Sequence, residues 1–146
     1  MSEDFKLYID KLRSAELRPT RQRLAICKIL FAESETFHFT IESLRKVIKK
    51  STYSKISLAT IYNTVHALKK KGYIKKISIQ NNKSFFDTNT KKHSHFYDED
   101  TETLHDIKNE DIIVGKVPHA PDGKKIREIE VIVRIANDNH NYRKSN

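Results

Sequence analysis

The sequence predicts an α+β fold in two parts, on three observations. Helical periodicity runs up to Gly72, β-rich segments follow it, and the excess of positive charge stops near residue 90. Residues 1–90 hold 18 Lys/Arg against 8 Asp/Glu, whereas residues 91–146 hold 10 against 11. A basic half beside a neutral one points to nucleic acid for the first half and different work for the second. Charge alone fits a merely soluble basic protein equally well. At 146 residues and 37% apolar composition, any core is small, and a dimer interface can supply much of the stability.

Residues 4–15 read as a short amphipathic helix through Phe5, Ile9 and Leu12. Pro19 ends it by disfavouring helical geometry at Arg18. Thr20 caps a second helix with apolar positions Leu24, Cys27, Leu30 and Phe31, in which Cys27 is a small core residue rather than a nucleophile. Thr40 opens a third, with Ile41, Leu44 and Ile48 inward and Arg45, Lys46, Lys49 and Lys50 outward. A polar link over residues 52–56 leads to the most telling stretch, Ser57–Gly72. Ser57 is an N-cap, Leu58, Ile61, Val65 and Leu68 form one stripe, and Lys69–Lys71 with Gly72 close the helix. The other face carries Thr60, Tyr62, Asn63 and His66, and the helix contains no carboxylate. It is built to meet something negative.

Residues 73–79 are β-rich, residues 80–83 have turn chemistry, and residues 84–87 resume an extended run, so a β-hairpin is expected. Short helices followed by a hairpin spell a winged helix-turn-helix, with Ser57–Gly72 placed for the DNA major groove. Its rival is a small α+β domain with a solvated basic helix. Beyond residue 90, Asp98–Glu102 reads as a turn between two short strands, Asn109–Gly115 as a brief helix, and residues 117–123 as a loop. Lys125–Ile135 is the strongest strand signal, with Ile129, Val131, Val133 and Ile135 alternating, and such a strand suits a dimer seam. Residues 136–146 form a polar tail. A single cysteine excludes an intramolecular disulfide and a structural zinc site built from four cysteines. No apolar run approaches the roughly 20 residues of a membrane span, so a cytoplasmic protein without a membrane partner is expected.

His93 and His95 alternate onto one face of an extended segment, with Asp87 before them and Asp106 after. Neutral imidazole with carboxylate suits divalent iron, manganese or zinc. On spacing alone the signal is weak, since such a pair in a polar stretch is more often solvated than metal-bound. His66 is expected to face DNA phosphate or solvent. His119 and His140 sit in loops, and His105 flanks a strand.

Leu17–Leu24, Phe37–Thr40, Ser57–Thr64 and Lys83–Thr88 match, in order, motifs of the ferric uptake regulator (Fur) family, and the resemblance runs from about residue 15 to 135. Leu17–Arg23, Phe86–Asn89, His95–Tyr97, Leu104–Ile107 and Glu130–Arg134 look most like its iron response regulator (Irr) branch. The resemblance implies a winged-helix DNA-binding domain over 1–87, a hinge over 88–92 and an α/β dimerisation and sensing domain over 93–146. It implies a homodimeric transcription regulator of iron and haem genes, acting on an A·T-rich palindromic operator in double-stranded DNA. The family's metal site transfers to His38, Asp87, His93, His95 and Asp106, for iron, manganese or zinc. In the Irr branch haem is associated with the histidine cluster, here His93 and His95, although Ser94 replaces the cluster's middle histidine. The alternatives are a peroxide- or manganese-sensing repressor, which Asp87 and Asp106 also suit, and more distantly a small metal-binding enzyme or store. The sequence supplies no nucleophile–base pair or phosphate-binding glycine loop, so no enzyme is expected. By the same resemblance Tyr62 reads thymine methyls, Arg18 reaches the minor groove, and Thr60, Asn63, Lys75 and Lys76 contact phosphates. Asn63 stands where the family often has arginine, so the operator is expected to differ.

Overall fold

A computed structural model describes residues 3–32, 35–53, 55–80 and 83–139 of the protein. The expected turn at Asn81 and Asn82, and the tail beyond Asn139 with His140, lie outside the described residues. The chain divides into two units, Met1–Thr90 and Lys91–Asn146.

In the first unit, four helices pack around one core: α1 (Glu3–Ser14), α2 (Arg21–Phe31), α3 (Ile41–Lys49) and α4 (Leu58–Lys71). The buried stripe of α1 is Tyr8 and Leu12, continued by Ala15, rather than Phe5, Ile9 and Leu12; Phe5 stays exposed. Lys11 lies on the same side, its ammonium 5.1 Å from the Phe31 ring centre and 4.3 Å from that of Tyr73. These cation–π contacts add to the burial of Tyr8 and Leu12 on the 8–11–12–15 side. In α2, Thr20 accepts from the Arg23 N–H, and Ala25, Ile26, Cys27 and Leu30 are buried, with Leu24 and Phe31 partly so. Cys27 is a core residue, as its spacing implied. Helix α3 begins with a full capping box, in which Thr40 and Ser43 each accept the other's backbone N–H.

Helix α4 has the ends its sequence announces. The Ser57 hydroxyl accepts from the Thr60 N–H, and Gly72 closes the helix at φ 95°, a left-handed conformation that favours glycine. Its buried face is Ile61, Thr64, Val65 and Leu68. Burying each of the three large apolar side chains is worth about 1.5–3 kcal/mol. Thr64 is tolerated there because its hydroxyl donates to the Thr60 carbonyl at 2.6 Å. Leu58 does not join the stripe. It shares the Val65 face, but at 45% exposure the cover has run out at the first turn.

A three-stranded antiparallel sheet completes this unit, in the order β1 (His38–Phe39), β3 (Lys83–Asp87), β2 (Lys75–Ile79). The expected β-hairpin is formed by β2 and β3. Strand β1, two residues long, was beyond any periodicity argument.

The second unit is a sheet in the order β5 (Thr103–Ile107), β4 (Ser94–Asp98), β6 (Ile132–Ile135), antiparallel on one side of β4 and parallel on the other. The β4–β5 turn is fixed by Asp98, whose carboxylate accepts from the N–H groups of Thr101 and Asp100. Those backbone bonds, from Thr101 foremost, hold the Asp98 carboxyl below its usual range. Two expectations are corrected here. Only Asn109–Asp111 forms a helical turn, because the β-branched Ile112, Ile113 and Val114 and then Gly115 disfavour its continuation. The strand expected over residues 125–135 is confined to Ile132–Ile135. Its register, His95 opposite Ile132 through Asp98 opposite Ile135, takes four of the five residues of β4, and the His95 N–H reaches back to the Val131 carbonyl at 3.3 Å, so the alternation before Val131 has almost no ladder left to join.

Candidate metal centre and nucleic-acid interface

Each unit gathers imidazole against carboxylate. In the first, β1 lies beside β3 with His38 opposite Asp87 and Phe39 opposite Phe86. Two further bonds extend the pairing: the Phe37 N–H donates to the Thr88 hydroxyl at 3.0 Å, and the Thr88 N–H to the Phe37 carbonyl at 3.2 Å. His38 Nε2 stands 3.1 Å from Asp87 Oδ2, while Asp87 Oδ1 accepts from the Asn89 N–H at 2.8 Å. Asp87 is only 1% exposed. A carboxylate so buried requires partners of this kind.

In the second unit, the register of β4 with β5 sets His95 opposite Asp106. His93 Nε2 is 3.0 Å and His95 Nε2 3.4 Å from the same oxygen, Asp106 Oδ1, and the two ring centres are 4.3 Å apart. The alternation argument therefore put both imidazoles on the correct face. His93 Nδ1 lies 2.6 Å from the Lys91 carbonyl, which only a protonated Nδ1 can satisfy. Its Nε2 then faces the Asp106 carboxylate oxygen, a contact that either a proton on Nε2 or a bound cation can bridge. Two ligands each about 2.1 Å from a metal, at angles between octahedral and tetrahedral, lie roughly 3.0–3.4 Å apart. The separations in both units fall in this range, and the N/O donor set fits iron, manganese or zinc. His105 lies within β5 rather than beside it, with Nε2 3.1 Å from the Thr103 hydroxyl.

The expected DNA-facing residues are distributed as follows. Tyr62 and Asn63 are exposed on α4, Tyr62 at 50%. Thr60 is half-buried, its hydroxyl 2.9 Å from that of Ser57, so it serves the helix cap first. Arg18 is exposed, while its carbonyl accepts from Arg23 Nη1. Lys75 and Lys76 lie half-buried on β2. His66 departs from expectation. It is half-buried, its ring centre 4.2 Å from that of Tyr62 and 6.2 Å, edge-on, from that of Phe86. Burial first, then Lys76 and Lys69, push its pKa down. The i, i+4 spacing of Tyr62 and His66 was the available signal.

A helix-and-hairpin unit followed by a small sheet unit, each with imidazole against carboxylate, defines a class: two-part α+β proteins built around candidate metal donors. Residues 14–134 match the Ferric uptake regulator family, and the chain belongs to it. Over 87 residues it is 36% identical to the peroxide-responsive repressor PerR of Staphylococcus aureus (strain Mu50 / ATCC 700699), covering 60% of this chain and 57% of that protein. The chain thus spans little more than half the length of that relative. Its fold is similar to the ferric uptake regulator of Pseudomonas aeruginosa with manganese, at TM-score 0.66 and 18% identity, over 91% of this chain and 99% of that one. It is also similar to the peroxide stress regulator of Campylobacter jejuni, at TM-score 0.55 and 23% identity, over 96% and 99%. No described helix is long and apolar enough to cross a membrane.

Proposed function

We propose that this protein is a homodimeric, sequence-specific DNA-binding repressor whose operator affinity is set by a divalent metal, iron or manganese ahead of zinc. His38, Asp87, His93, His95 and Asp106 hold that metal. The observation that carries the reading is the pair of imidazole–carboxylate clusters with donor atoms 3.0–3.4 Å apart. Five residues, 88–92, join Asp87 to His93, so the Cα atoms of these two donors are tethered within about 20 Å of each other. That tether gives a high effective concentration for shared binding. A bound ion supplies positive charge that offsets the repulsion of two carboxylates and fixes the donors to one another. Donors drawn from both sides of the 88–92 segment then bias the spacing of the DNA-reading helices in the dimer toward one operator. Residues 1–87 are the DNA-binding domain in this reading, and residues 93–146 the dimerisation and sensing domain.

DNA is met by α4. Its Tyr62 ring reads thymine methyls, with Arg18 in an A·T-narrowed minor groove and Thr60, Asn63, Lys75 and Lys76 at phosphates. A DNA-binding role of this kind implies a cytoplasmic protein. A peroxide response is favoured over an iron-response-regulator role by the relative's name and by the aspartates at 87 and 106. Haem on His93 and His95 has less support, since both Nε2 atoms already converge on one small-cation position beside Asp106.

The test is operator binding by mobility shift with Mn²⁺, Fe²⁺, Zn²⁺ and haem in turn, on wild type and on His93→Ala/His95→Ala. A divalent metal should tighten wild-type binding and leave the double variant weak, and peroxide should release the Fe²⁺ form. Binding that ignores every metal overturns the reading, and binding that responds to haem alone restores the haem alternative.

A further inference from the structure

The rings of the first unit form a continuous series between its metal donors and its DNA-facing helix. Phe39 follows His38, and Phe86 precedes Asp87. Because β1 and β3 set these residues opposite each other, the Phe39 and Phe86 rings stack with centres 5.5 Å apart and planes at 23°. The His66 ring meets Phe86 edge-on at 78°, and Tyr62 lies 4.2 Å from His66 on the next turn of α4. Phe39 and Phe86 are buried, at 3% and 2% exposure, while Tyr62 is half exposed. The series therefore begins in the core beside His38 and Asp87 and ends at the surface.

We propose that His66 is a positioning residue that transmits closure of the His38–Asp87 pair to the base-reading ring of Tyr62. The proposal rests on the metal and DNA readings above and adds a route inside the first unit to the hinge mechanism. Strand β1 has two residues, and a ladder so short is marginal without a clamp. Drawing His38 and Asp87 onto one cation fixes that ladder, and with it the Phe39–Phe86 stack. Packed rings shift between discrete arrangements rather than deforming continuously, so the edge of Phe86 sets where His66 rests. His66 in turn limits the orientations open to Tyr62. A flat, neutral ring suits this place, since it packs on Phe86 and still faces a polar helix surface. Burial and the cations of Lys76 and Lys69 keep it neutral.

The test is ¹⁹F NMR of the full chain labelled with 3-fluorotyrosine, with the Tyr62 line assigned by its loss in Tyr62→Phe and Zn²⁺ as the diamagnetic probe. In wild type, Zn²⁺ should shift the Tyr62 line. The shift should be lost in His66→Leu, which keeps apolar bulk and helix propensity, and kept in His66→Phe, which keeps the ring. Calorimetric Zn²⁺ stoichiometry should be the same in all three. The ratio of operator affinities with and without Zn²⁺ should fall toward one in His66→Leu alone. Equal shifts in wild type and His66→Leu overturn the proposal and leave the metal reading standing, as does a still Tyr62 line when Zn²⁺ binds. Absence of any Zn²⁺ binding that His38→Ala abolishes overturns the metal reading, and the proposal with it.

Discussion

Single side chains here carry opposite chemical fates according to burial. Cys27 is fully buried, and loss of hydration pushes its thiol up to about 12 even though Lys11 pulls the other way. It should resist iodoacetamide in the folded protein and react at the rate of global unfolding, which mass spectrometry across a denaturant series would show. Fast alkylation without denaturant would contradict its core position. His66 offers a sign to check. Its folded pKa lies below the ordinary 6.5, so the unfolded chain binds the proton more readily. Its contribution to stability is thus complete above the ordinary value and lost as pH falls through the folded one. Thermal melts with a chelator present should show wild type losing more stability than His66→Phe only below about pH 6.5. A difference constant from pH 8 to 5 would remove titration as the cause. Tyr62→Ala should relax operator discrimination by about 1–3 kcal/mol while nonspecific binding changes little. Competition between operator and scrambled duplex measures this, and equal weakening on both would end the base-reading role.

At the scale of elements, α4 was the most legible part of the chain because its ends and its stripe are separate signals that agree. Gly72→Ala tests the C-terminal signal directly. A Cβ there meets nothing within 4 Å, so the cost is the left-handed φ of 95° alone, about 1 kcal/mol. Ser57→Ala removes the N-cap and should cost about 1 kcal/mol as well. Urea melts of each variant check both values, and a neutral Gly72→Ala would mean that the helix end relaxes. Other elements were hidden for physical reasons. A two-residue strand such as β1 has no period, so the meeting of His38 with Asp87 could be reached only through family resemblance. His93 and His95 were readable because alternation fixes a face without knowledge of a partner. Alternation over residues 129–135 reports extended geometry but not how many partner residues exist, and β4 provided too few. In α1, five apolar residues crowd one short helix, so periodicity alone left more than one stripe open, and the buried one is Tyr8 with Leu12.

At the scale of the whole molecule, the second unit exposes a run of apolar side chains among its described residues. Tyr97, Leu104 and Ile107 are buried, yet Ile113 is 88% exposed, and Val114, Val117, Ile126, Val133 and Ile135 are exposed too. Apolar side chains so concentrated in about 25 residues are what a self-complementary interface would bury. A stable dimer removes about 800 Å² per partner, within reach of a segment of this length. In the proposed function dimerisation matters for DNA, since a palindrome bound by two linked units gains effective concentration that one unit lacks. Ile113→Asp combined with Val133→Asp should therefore convert the protein from dimer to monomer in sedimentation velocity. Operator affinity should fall at least tenfold, about 1.4 kcal/mol, while affinity for a single half-site stays unchanged. The first unit should keep its helical circular dichroism, because neither substitution touches its core. A double variant that sediments as a dimer would place the interface on another face. A monomer that still binds the full operator at wild-type strength would separate dimerisation from DNA recognition altogether.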